Sequence, residues 1–124
     1  MLSRTHFAAA LLTLACASAQ AELVDIVWSD GGTFTHRTQI ASGQFVEVCG
    51  ALKAGRQVAW SFDASGPTDF NVHYHQGNQV VLPIQMKQVA RAEDALRIES
   101  DQGYCWMWTN RSVSAISLTA RFQR

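Results

Sequence analysis

Apolar and polar residues alternate along most of this chain. "QVAWSFDA" puts Val58, Trp60 and Phe62 on one face and Ala59, Ser61 and Asp63 on the other. "FNVHYHQ" sets Phe70, Val72 and Tyr74 against Asn71, His73 and His75. "SAISLTARFQ" sets Ile116, Leu118, Ala120 and Phe122 against Ser117, Thr119 and Arg121. A period of two marks strands with one face in a core and the other in water. Past residue 21 no stretch carries a capped helical stripe.

Turn residues divide these runs at Gly31-Gly32, Ser42-Gly43, Ala54-Gly55, "SGPTD" at 65–69, Gly77-Asn78 and Asp101-Gln102-Gly103. Pro83 within "QVVLPIQM" implies an edge strand or a bulge, because proline donates nothing to a central ladder. "MKQVARAEDALRIES" reads as strand, turn, strand, since Leu96 and Ile98 keep the alternation. Seven to eight short strands spaced in this way predict an all-β fold, an antiparallel β-sandwich.

The start of the chain breaks the pattern. A short basic opening, the apolar "FAAALLTLACA" and Ala19-Gln20-Ala21 read as a secretory signal, residues 1–21, with cleavage before Glu22. The apolar run is too short to span a bilayer, and no later run is longer, so no integral membrane segment is expected in the mature chain. Cys16 sits in a lipobox-like context, but Thr13 stands where leucine is usual, which argues against lipid anchoring. The expected compartment is the periplasm, or the medium outside the cell. Residues 22–124 form a single expected domain, long enough for one modest core.

Ten basic and ten acidic residues balance over the chain, and they are scattered singly. That argues against a nucleic-acid partner, which needs a basic face. Cys49 and Cys105 remain after the signal, an even pair in an oxidising compartment, so a disulfide is expected. The competing reading of the pair is two free thiolates serving as metal ligands.

Several short motifs follow one another in a familiar order. "FVEVCG" leads through "LKAG" to the strands "VAWSF" and "DFNVHYH", then to "DQGYCWMWTN" and a last alternating strand. Over residues 45–124 this resembles the GOLD (Golgi-dynamics) domain, a jelly-roll-like β-sandwich whose early cysteine pairs with one in a late strand. The resemblance implies a stapled sandwich used for protein contacts or ligand binding. Departures are clear: Cys105 lies farther from Asn110 than the family's second cysteine does, and neither coiled coil nor membrane helix follows.

Phase within "YCWMWTN" links the cysteines to the core. In "QFVEVCG", Cys49 shares its phase with Phe45 and Glu47, while Val46 and Val48 oppose it. A glutamate is a poor core residue, so the valines face inward and Cys49 faces out or toward an edge. A disulfide needs both side chains on one side of neighbouring strands. Cys105 and Met107 then point outward, and Tyr104, Trp106 and Trp108 point into the core; the alternative, reverse phasing would expose an aromatic ladder and mark a binding surface.

The sharpest chemistry is His73-x-His75, two imidazoles on one strand face, with Asn71 beside them. Such a pair chelates copper or zinc when a third donor joins, and an outward Met107 offers a thioether to Cu(I). Without a third donor the histidines are simply solvated outer-face residues. Glu47 and Asp69 read as solvated charges, and Asn110 as a strand end, formally a glycosylation sequon with Arg111 and Ser112. No phosphate loop, nucleophile elbow or carboxylate pair appears, and Ser61, Asp63 and His73 form a triad only on paper. The expectation is a non-enzymatic exported module that binds an envelope protein or a small ligand. Its alternative is a periplasmic copper or zinc protein built on His73, His75 and Met107.

Overall fold

The computed structural model describes residues 10–13 and 21–124. The signal reading and Cys16 fall mainly on residues 1–9 and 14–20, outside the described residues. Seven strands follow: β1 (Glu22–Asp25), β2 (Thr33–Ile40), β3 (Phe45–Leu52), β4 (Gln57–Gln76), β5 (Gln79–Arg97), β6 (Gln102–Thr109) and β7 (Ile116–Gln123). The fold is all-β, and among the described residues no helix is long and apolar enough to cross a membrane.

Two long strands organise the molecule. β4 and β5 pair antiparallel along nearly their whole length, from Gln57↔Arg97 to Gln76↔Gln79. The other edge of β4 pairs first with β7, over Ala59–Ala64, and then with β6, over Asp69–His73. One curled sheet therefore serves as two layers. One layer carries β1, β3, β6 and the second half of β4; the other carries β2, β7 and its first half.

The expected turn at "SGPTD" is instead a bend within β4. Between Asp63↔Arg91 and Thr68↔Val89 the register shifts, and β4 carries three more residues than β5 there. Turn-forming residues in this stretch bulge the strand and re-aim it toward the second layer, without reversing it. The turn expected after Met86 is also absent. Its place is taken by a second bulge, where Gln88 adopts φ 53° and its backbone N–H and side-chain amide both donate to Asp69 Oδ1, at 3.1 and 2.9 Å. Pro83 lies in a third register shift, between Val72↔Ile84 and Tyr74↔Val81, on an edge strand as its missing N–H demands. β1 departs from the all-antiparallel expectation, since it runs parallel to β3 from Glu22↔Val46 to Asp25↔Cys49.

The interior is aromatic. Trp106, Trp108, Tyr104, Phe62 and Phe70 are all buried, together with Val46, Val48, Val58 and Val72. Rings from the two layers interlock: Trp106 meets Phe122 with centroids 5.1 Å apart, and Trp108 meets Phe62 at 5.5 Å, both edge to face. Edge-to-face packing suits the ring quadrupole and adds about 0.5–1.5 kcal/mol per pair beyond area burial.

The free edges of the two layers are joined by side chains. Glu22 on β1 accepts from Thr38 Oγ1 at 2.6 Å and contacts His36 Nε2 at 2.6 Å, both on β2. A half-buried carboxylate thus finds partners at the seam, as a buried charge must.

Candidate functional site

Cys49 and Cys105 are direct register partners on β3 and β6, and they form a disulfide with Cα atoms 4.1 Å apart. The two faces of β3 and β6 fall as the alternation predicts. Val46 and Val48 are buried on one side, and both cysteines and Met107 lie half-buried on the other.

Next to the disulfide, on β4, sits His73, the register partner of Cys105. It belongs to the outer face, yet only 6 % of it is exposed, so it is not the solvated histidine that its phase suggested. Its Nδ1 lies 2.7 Å from Asn71 Oδ1 and its Nε2 lies 3.2 Å from Glu47 Oε1. Burial holds its pKa below the ordinary histidine value, with the Glu47 carboxylate opposing that shift and His75 reinforcing it. Glu47 is therefore no free surface charge: it reaches across β6 to the imidazole.

His75 is exposed, and its ring stands edge-on to that of His73 with centroids 5.5 Å apart. Met107 lies in the next row, opposite Glu47 on β3 and Asn71 on β4. Among the described residues, the donors that converge here are His73, Glu47 and Cys105, with ligand atoms within 4.8 Å of one another. His75 is not in that group. Glu47 was missed as a partner of His73, although its phase with Cys49 placed it on the right face.

Beyond Met107 the same face opens into a groove of about 510 Å³ bordered by Asn71, Gln85, Lys87, Met107, Thr109 and Arg111. At its end stands the segment after β6. Asn110 is fully buried, and its amide nitrogen donates to Ile40 O at 2.9 Å and to Ser114 O at 2.8 Å. Its Oδ1 accepts from the N–H and hydroxyl of Ser112 at 2.8 and 2.7 Å. This side chain is spent on structure, which removes it as a glycan acceptor. Arg111 is held by Asp69 at 2.5 Å, whereas Val113 projects with 96 % exposure.

A second groove of about 480 Å³ lies on the outer face of the other layer, among Thr33, Thr35, Ser61, Glu93 and Arg121. Asp63 beside it engages Arg91 at 3.5 Å and Arg121 at 3.3 Å. Ser61 and Asp63 thus sit on one layer and His73 on the other, so the three do not assemble as a triad.

No family model matches the sequence, and no curated protein is similar to it in sequence. Solved structures resemble its fold. A periplasmic inhibitor of g-type lysozyme, PliG from Aeromonas hydrophila, shares 13% identity at a TM-score of 0.59, over 84% of this chain and 96% of that one. The Yersinia pseudotuberculosis-derived mitogen shares 11% identity at 0.58, over 73% of this chain and 84% of its own. The pre-peptidase C-terminal domain of a Bacillus anthracis collagenase shares 10% identity at 0.56, over 83% and 94%. At these identities the likeness is one of β-sandwich fold.

Proposed function

We propose that this chain is an exported, non-enzymatic module that binds a protein partner through residues 111–115 and the adjoining groove. The observation carrying this reading is the Asn110 anchor. Four hydrogen bonds to one buried side chain order the segment in advance, while Val113 stays exposed at its tip beside Arg111. A preorganised apolar tip flanked by an arginine suits a binding hot spot, because little ordering entropy is lost on contact.

The fold likeness to periplasmic lysozyme inhibitors supports both export and a protein partner. The GOLD-like motif order supports the same class, a stapled sandwich that serves in contacts. A g-type lysozyme is accordingly the first partner to test. Purified protein mixed with the enzyme is expected to suppress lysis of cell-wall substrate with one-to-one binding by calorimetry. Val113→Asp and Arg111→Ala should weaken that binding at least tenfold without shifting the unfolding midpoint. Undiminished lysis and no measurable heat at tens of micromolar reject this partner; binding that both variants leave intact rejects the surface.

The alternative is a copper or zinc site on His73 and His75 joined by Met107. It has less support, because both ring nitrogens of His73 already face partners and His75 stands apart from the converging donors.

A further inference from the structure

We propose that Cys49, Cys105, His73 and Glu47 form a zinc site that opens when the disulfide is reduced. The site goes beyond the partner-binding reading and does not depend on it. Cys49, Cys105 and His73 occupy one row across β3, β6 and β4, and Glu47 lies two residues from Cys49 on the same face. The donor atoms of His73, Glu47 and Cys105 already lie within 4.8 Å of one another. Two thiolates, one imidazole and one carboxylate make a four-donor set of the kind zinc binds tetrahedrally.

The distances agree with that geometry. Bonds of about 2.0–2.1 Å from zinc to nitrogen and oxygen put those two donors roughly 3.3 Å apart in a tetrahedron. His73 Nε2 and Glu47 Oε1 are 3.2 Å apart. Zinc–sulfur bonds of about 2.3 Å require the two sulfurs to part to roughly 3.8 Å once their bond is broken. Side-chain rotation supplies this, since the strands already hold the two Cα atoms 4.1 Å apart.

Asn71 supplies an independent observation. Its Oδ1, 2.7 Å from His73 Nδ1, accepts the proton of the tautomer that has N–H at Nδ1. That leaves the unprotonated Nε2 available to a cation, 3.2 Å from Glu47 Oε1. An oxygen that accepts from the other ring nitrogen is the usual outer support of a zinc-ligating histidine.

The chemistry balances with a dithiol as reductant. The dithiol gives two electrons and two protons to the Cys49–Cys105 bond and becomes a disulfide itself, leaving two thiols. Zinc ion then replaces the two thiol protons, which pass to solvent. Bound zinc offsets the two thiolate charges that would otherwise sit against Glu47.

The test compares disulfide-bonded protein with protein reduced by a phosphine and desalted anaerobically, each titrated with zinc chloride against a chromogenic chelator. The reduced form is expected to bind one zinc per chain at least 100-fold more tightly than the oxidised form. His73→Gln and Glu47→Gln should each weaken the reduced form at least tenfold. Cobalt(II) in place of zinc should give a sulfur-to-metal charge-transfer band and tetrahedral ligand-field bands, the latter shifted in His73→Gln as an imidazole donor is lost. Near-ultraviolet circular dichroism of the tryptophans monitors folding in every sample. If reduction unfolds the chain, zinc should restore that signal in the wild type and fail to do so in the two variants. Equal affinity of both redox forms, variants that bind like the wild type, or an unfolded reduced chain that zinc does not restore would overturn the site.

Discussion

His73 on β4 meets Glu47 on β3 at 3.2 Å, across β6 and beside the disulfide that joins β6 to β3. The contact needs three strands in register, and it opposes the effect of burial on the imidazole. Burial lowers the His73 pKa below its ordinary 6.5. The unfolded chain therefore takes up the proton at a higher pH than the native chain. Stability is full above 6.5, declines as pH falls from 6.5 toward the lowered value, and is level for this group below that. Urea midpoints at pH 7.5 and 5 should show the loss, and His73→Gln should remove its contribution.

Replacing Glu47 gives a different signal at the same histidine. The carboxylate opposes the lowering by burial, so Glu47→Gln should lower the His73 pKa further. Two-dimensional NMR titration of the imidazole would measure it. An unchanged titration midpoint would mean that the 3.2 Å contact carries no electrostatic weight.

The disulfide spans a sequence separation of 56 residues. In the chain-entropy model a loop of that length contributes about 4 kcal/mol. A Cys49→Ala/Cys105→Ala double variant should lose a comparable amount in denaturant titration. A loss under about 1 kcal/mol would indicate that the unfolded chain is already compact.

Asn110 should be intolerant of isosteric change. Asn110→Asp puts a carboxylate oxygen where the amide N–H groups now meet Ile40 O and Ser114 O. Unpaired and repelling groups in a buried site cost roughly 1–3 kcal/mol each. The variant should unfold several degrees lower, and amides of residues 111–115 should exchange faster. Near-wild-type stability would show that the segment is held by something other than this side chain.

Trp108 tests the aromatic core. It is 1 % exposed and packs on Phe62 and Phe70 with centroids 5.5 and 5.3 Å away. Trp108→Ala should destabilise by about 3–5 kcal/mol, the range for emptying a large buried ring site. Trp108→Phe should recover most of that loss, as read by denaturant midpoints.

The features legible in the residue pattern are local in origin. Period two assigned faces, so Val58, Trp60 and Phe62 on β4 and Trp106 and Trp108 on β6 are buried as their alternation demanded. Cys49 and Cys105 were the one cysteine pair in the domain, and a glutamate in phase with Cys49 turned both outward. The glycine turns at Gly32, Gly43, Gly55 and Gly77 all adopt positive φ. Tertiary structure decided everything that depends on which strands become neighbours. "SGPTD" carries turn chemistry, but it bends and bulges β4 without ending it, and the pairing partner changes there from β7 to β6. β1 runs parallel to β3, and in that placement Glu22 meets His36 and Thr38 on the edge strand of the other layer. His73 carried an outer-face phase, yet it is buried, since a face assigns direction and only neighbours assign exposure. Glu47 and His73 lie 26 positions apart and meet only because β6 lies between their strands in register with both, a non-local pairing that no periodicity encodes.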